Sequence, residues 1–191
     1  MQLGRERIIE AAVELFNKKG YMGTSVQDIA VKLGFTKAAL YYYFQRKEEI
    51  LWEIVDRSMC TAERRMQEIA GQEMPVVERI KQIIFNQIMN VKDDAPYMTI
   101  FFYDNIHLPP EKLKIINSRR RNYEKSIAAV IQQGIEEGVL EPVDALLTVY
   151  GILGMCNWII HWYDPSGPCK PEEIAELNAR IILRGILKEK E

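Results

Sequence analysis

The stretch FTKAALYYYF, residues 35–44, sets one ammonium, two adjacent methyls and three consecutive phenols within ten residues. This is the chemistry of gripping a surface. A phenol donates a hydrogen bond, an ammonium meets an anion, and alanine lets the backbone approach closely. Counted at about 100° per residue on a helix with Leu40 inward, Phe44 falls about 40° away and shares the inner face. Ala38 and Tyr42 lie roughly opposite, at the outer pole. Lys37 and Tyr41 take one flank, and Ala39 and Tyr43 the other. The tyrosines therefore fan across an exposed side, a surface that suits a DNA groove. Ala38 and Ala39 admit base edges and their methyls can touch thymine. Lys37 reaches a phosphate or a guanine edge, and Tyr41 and Tyr43 are placed for phosphates on the two groove walls. Thr24 and Ser25, at the start of one helix, and Lys47, at the start of another, add hydroxyls, amides and a cation for the same purpose.

Elements that would hold this surface are legible on either side. Ile9, Ala12, Val13 and Phe16 recur at helical spacing and Gly20 ends the run. Val26, Ile29, Ala30 and Leu33 repeat the pattern after Thr24, which can cap with Gln27, and Gly34 supplies a sharp turn. Thr36 can cap a third, short helix to about Phe44. A fourth starts near Lys47, with Glu48 and Glu49 in its first turn, and runs to about Ala70. Two short helices joined by a glycine turn make a helix-turn-helix. Five more helices are expected, starting near Pro75, Ala95, Pro110, Val143 and Pro171. The predicted fold is all-α with about nine helices: a three-helix head at 1–46 and a helical body for ligand binding and dimerisation at 47–191.

The segment "IIEAAVELFNKKGYMGTSVQDIAVKLGFTKAALYYYFQRKEEIL" closely resembles the DNA-binding head of the tetracycline-repressor (TetR) family. Ala11-Ala12 before Leu15-Phe16, Gly20-Tyr21, Thr24-Ser25, Ile29-Ala30, Gly34, Leu40-Tyr41 with Phe44, and Lys47-Glu48-Glu49 carry the resemblance. It implies a bacterial or archaeal transcription regulator, usually a repressor and a homodimer, whose heads spread when a ligand enters the body. By position it puts Lys37, Ala38 and Tyr42 at bases, and Thr24, Ser25, Tyr41, Tyr43 and Lys47 at phosphates. Lys37 departs from the smaller polar residue often found there, which leaves the operator sequence open.

The body resembles the family only in plan. Leu153, Trp158, Trp162, Leu177 and Ile181 are expected to form a four-helix bundle between two subunits, with Gly151 and Gly154 allowing close approach. Phe85, Ile88, Met89, Phe101, Phe102, Tyr123 and Met155 can supply an apolar effector wall, and Asn105, His107 and His161 its polar groups. Arg119 and Arg120, in the run Arg119-Arg120-Arg121, can mark a pocket mouth and meet an anion such as a CoA phosphate. The stretch WIIHWYDPSGPCKPEEI looks like the C-terminal region of regulators that sense acyl-CoA thioesters. A lipophilic cation is the competing effector, with Asp104 and Glu124 as its candidate acids.

Totals exclude several classes. Net charge is −2 over 191 residues, so the chain as a whole does not advertise a polyanionic partner. Cys60, Cys156 and Cys169 are scattered, as reduced thiols of a cytoplasmic protein would be. Two histidines and no acid–cysteine cluster argue against a metal, and no cofactor is expected. No nucleophile–base–orienter set, phosphate loop or paired carboxylates can be assembled, so an enzyme is the rival class and a scaffold without DNA binding a third. Residues 145–163 carry no Lys, Arg, Asp or Glu and have the length of a membrane span. Thr148, Asn157 and His161 inside them, and Asp144 and Asp164 at the flanks, favour a helix covered by protein.

Overall fold

Apolar residues at helical spacing, with glycine or proline breaks, give eight α-helices among the residues described, 2–188, with side chains from residue 4 onward, in a computed structural model. They are α1 (Gln2–Lys19), α2 (Val26–Leu33), α3 (Lys37–Tyr43), α4 (Lys47–Ala70), α5 (Val76–Tyr103), α6 (Pro110–Glu136), α7 (Ala145–Asn157) and α8 (Pro171–Ile186). Short 3-10 turns, Asn105–His107 and Trp158–His161, follow α5 and α7. The two helices expected from Pro75 and Ala95 are one, broken rather than ended. Pro96 lacks an N–H for the residue a turn earlier and its ring crowds that carbonyl, and the backbone leaves helical geometry at Asp94 (φ −125°, ψ 24°).

Contacts divide the chain into two units, with the divisions falling inside helices. The first takes the chain through Cys60 together with Pro96–Asn117. Its interior is built on Ile8, Ile9, Ala12 and Phe16 of α1, Ile29 and Ala30 of α2, Leu40 of α3 and Ile50, Leu51 and Ile54 of α4, with Phe44 between α3 and α4, all no more than 2 % exposed. The second takes Thr61–Ala95 and the chain from Ser118 onward. There Ile80, Ile84 and Ile88 of α5, Ile127 and Ile131 of α6, Val149, Ile152 and Cys156 of α7, and Ile174 and Leu183 of α8 form one apolar cluster. Burial pushes the Cys156 thiol up to about 12, so it packs as an apolar group.

The apolar run at 145–163 does not make one long helix. α7 stops after 13 residues, about 20 Å at 1.5 Å per residue. Among the described residues no helix is long and apolar enough to cross a membrane.

Candidate nucleic-acid interface and its helical body

α2 and α3 are joined by the turn that presents the phenol-rich surface. Gly34 sits at φ +66°, in the left-handed region, and lets the Phe35 N–H return to the Ala30 carbonyl at 2.9 Å. Thr36 then caps α3, its hydroxyl accepting from the Ala39 N–H at 3.1 Å. Leu40 and Phe44 point inward at 0 and 1 % exposure, which turns the opposite face out. Tyr42 is 68 % exposed, and Lys37, Ala38 and Ala39 are exposed beside it. Tyr41 is half-buried, with the Lys37 ammonium 5.7 Å from its ring centre. Tyr43 is half-buried too and meets Tyr42 edge-on at 5.3 Å. It leans on α1 at Gly4, where a Cβ would come within 2.6 Å of its hydroxyl. The Arg5 guanidinium donates to the Tyr43 carbonyl at 3.2 Å and lies 4.2 Å over the Phe44 ring.

Two residues expected at phosphates are turned to internal work. The Thr24 side chain is buried, and its hydroxyl donates to the Gly20 carbonyl at 2.9 Å and the Leu15 carbonyl at 3.3 Å. It therefore does not cap α2. Ser25 does, one residue later, through a reciprocal box with Asp28, and its side chain is exposed. The Lys47 ammonium donates to the carbonyls of Tyr21 and Thr24, each at 2.8 Å, and lies 4.0 Å over the Tyr21 ring. Burial lowers its pKa, against the pull of Glu48 and Asp104. Two of its three protons are thus spent on the α1–α2 loop. A groove of about 420 Å³ runs along this loop, lined by Ser25, Gln27, Asp28, Lys37, Tyr41 and Lys47 among others.

Residues expected around an effector fall in both units. In the first, Phe101 is buried edge-on to Phe102 at 5.4 Å, and the buried Asn105 amide donates back to the Phe101 carbonyl at 2.5 Å. In the second, Met89 is buried and Tyr123 donates its hydroxyl to Gln87 at 2.9 Å. Gln87 in turn donates to Asn157 at 3.1 Å, and burial raises the Tyr123 pKa. Arg119 is held by Glu63 at 2.9 and 2.5 Å, while Arg120 reaches Glu124 at only 3.8 Å. Phe85 is on the surface at 38 % exposure, in a groove between α5 and α8 with Leu183, Arg180 and Arg184. Met155 and His161 depart from an inner wall. Met155 is 37 % exposed on α7, and His161 is exposed and packed on Trp158 at 4.1 Å. The sequence reading missed Gln87, Asn90 and Arg65. Arg65 donates to the buried Asn90, with Asp93 3.6 Å away. Their only signal was polarity on the inner stripe of a helix.

α7, the 3-10 turn that follows it and α8 present an apolar outer surface. Trp158 and Trp162 are 62 and 52 % exposed, Leu147 is 67 %, and Leu177 and Ile181 on α8 are 45 and 49 %. Nothing lies within 4 Å of where a Cβ on Gly151 or Gly154 would stand. Leu153, expected on this face, packs instead against the buried cluster, because it shares a helical side with Val149, Ile152 and Cys156.

Known proteins share this arrangement. The family model described as "Bacterial regulatory proteins, tetR family" matches residues 8–54, and "Tetracyclin repressor-like, C-terminal domain" matches residues 73–186. The HTH-type transcriptional repressor KstR2 of Mycobacterium tuberculosis is 26 % identical over 187 residues, covering 97 % of this chain and 94 % of KstR2. The crystal structure of PfmR, a TetR family transcriptional regulator from Thermus thermophilus, superposes with a TM-score of 0.87 at 34 % identity, over 93 % of this chain and 97 % of PfmR. That of AibR in complex with isovaleryl coenzyme A and operator DNA superposes with a TM-score of 0.85 at 28 % identity, over 93 and 96 %. With its head and most of its body each matched, the chain belongs to the tetR family of bacterial regulatory proteins, transcriptional regulators rather than enzymes.

Proposed function

We propose that the protein is a ligand-responsive repressor that binds a near-palindromic operator as a homodimer and is released by a small hydrophobic effector, an acyl-CoA thioester. The observation that carries the DNA reading is the outward face of α3, with Tyr42 68 % exposed between exposed Lys37, Ala38 and Ala39. Lys37, Ala38 and Tyr42 are the base readers. Ser25, Tyr41 and Tyr43 hold phosphates, with the remaining Lys47 proton beside them. One short helix makes too few contacts for useful selectivity, and pairing two copies about one DNA turn apart doubles them. The exposed apolar face of α7 and α8, through Trp158, Trp162, Leu177 and Ile181, is the surface that pairs them, since an uncovered patch of that kind marks an interface.

The effector class rests on the WIIHWYDPSGPCKPEEI stretch and on AibR, whose structure holds isovaleryl coenzyme A. Arg120 is the cation offered to a phosphate, since its contact with Glu124 is long and half of its side chain is exposed. A lipophilic-cation effector is less well served. Asp104 lies within electrostatic reach of Lys47, and Glu124 faces Arg120.

An operator selected from random duplexes tests both halves. Binding should fall steeply with salt, because phosphate contacts release counterions. Tyr42→Ala should lose about 1–3 kcal/mol of discrimination between operator and random DNA. Parent-like selectivity in that variant removes Tyr42 from the base readers. Adding isovaleryl-CoA or a longer acyl-CoA should free the operator, whereas CoA alone should not. Mass spectrometry that recovers only CoA-free hydrophobic cations with the purified protein overturns the thioester.

A further inference from the structure

Tyr21, in the loop between α1 and α2, is 3 % exposed, and four groups converge on it. Phe16 packs edge-on at 5.2 Å. The His107 imidazole lies nearly parallel to its ring, centres 5.2 Å apart and planes 17° apart. The Lys47 ammonium sits over the ring at 4.0 Å while bonding to its carbonyl at 2.8 Å. The Asp104 carboxylate lies within electrostatic reach of the ring and of Lys47. The Tyr21 hydroxyl, by contrast, is buried with no hydrogen-bond partner. The fold uses the ring and backbone of this residue, not its phenol.

The consequence reaches the groove beside α3. Lys47 bridges the carbonyls of Tyr21 and Thr24 and so clamps the loop that leads into the Ser25 cap of α2. That loop and Lys47 line the same groove as Lys37 and Tyr41. Asp104 and His107 are remote in sequence, on the turn that follows α5, yet they belong to the same compact unit as α1, α2 and α3. A helix-turn-helix needs neither of them for its own hydrogen bonds.

We infer that His107 is a positioning residue for operator binding, which from outside the helix-turn-helix holds Tyr21, and through it Lys47 and the 21–25 loop, in the geometry that a duplex meets. The inference rests on the DNA-binding reading above. His107 supplies a stacking face that keeps the Tyr21 ring under the Lys47 ammonium. Without it Lys47 keeps its charge but loses its seat.

Fluorescence anisotropy with the full chain and a selected operator, over a range of salt, tests this. His107→Ala should weaken binding about three- to tenfold, the range of one aromatic stacking contact. It should also flatten the salt slope by about one phosphate's worth. His107→Phe, which keeps a stacking face, should return to within about twofold of the parent. Should His107→Ala fail to fold, His107→Leu fills the volume without a stacking face and carries the same expected loss. Parent-like binding by the His107→Ala (or Leu) variant overturns the inference. So does a phenylalanine variant as weak as the alanine one. Tyr42→Ala in the same series separates the two claims. If it loses selectivity while the His107 variants keep the parent's affinity and salt slope, only the positioning role falls. If it too binds like the parent, the operator contacts themselves are wrong.

Discussion

Asp28 shows how few atoms fix the entry to α2. Its carboxylate accepts from the Ser25 hydroxyl at 2.5 Å and the Ser25 N–H at 2.8 Å, while its own N–H donates to the Ser25 oxygen at 3.1 Å. These bonds, with Lys19 at 3.4 Å, hold its pKa down to about 2. An unfolded aspartate titrates near 4. The carboxylate therefore stabilises the head fully above about pH 4, and that contribution is lost as pH falls toward 2. Asp28→Asn should flatten this acid limb in a pH titration followed by circular dichroism. Ser25→Ala should cost about 1 kcal/mol in urea unfolding, as N-cap losses do. Spacing pairs Thr24 with Gln27, one residue before the box that forms. The choice fell to Ser25 because the Thr24 hydroxyl is drawn to the carbonyls of Leu15 and Gly20, at the end of α1.

At the scale of elements, breaks decide more than lengths do. Gly34 at φ +66° ends α2 and aims α3. A side chain there strains the backbone, so Gly34→Ala should destabilise the head by about 1–2 kcal/mol by denaturant titration, the cost of the left-handed region for an L-residue. Pro96 was a legible signal, but its effect was not. Proline can end a helix or kink it, and here the helix resumes, with the Pro96 carbonyl taken by Asn17 of α1 at 2.9 Å. α7 likewise stops at Asn157, well before its apolar run ends, and the chain tightens into a 3-10 turn. Hydrophobicity alone does not contain that stop.

For the whole molecule, the exposed apolar face of α7 and α8 is the feature a single chain leaves unexplained. Covering it with a second copy would take Trp158, Trp162, Leu177 and Ile181 out of water, at about 25 cal/mol per Å² of apolar surface buried. Trp158→Glu combined with Ile181→Glu should give monomers in sedimentation velocity and weaken operator binding at least tenfold. The circular dichroism of the monomer should stay helical, because the buried cluster of the second unit lies on the other side of both helices. A dimer that survives both substitutions would move the interface elsewhere.

Helical class, the glycine turn, the outward fan of α3 and the family resemblance were all set by the sequence itself, because they depend on contacts within a few residues or on a period of 3.6. Which of two hydroxyls caps α2, the capture of Lys47 by Tyr21 and Thr24, the inward turn of Leu153 and the surface position of His161 depend on groups distant along the chain. Tertiary structure alone decided them. A side chain's neighbours across space determine whether its polar atoms bond inward or face solvent, and no local pattern records those neighbours.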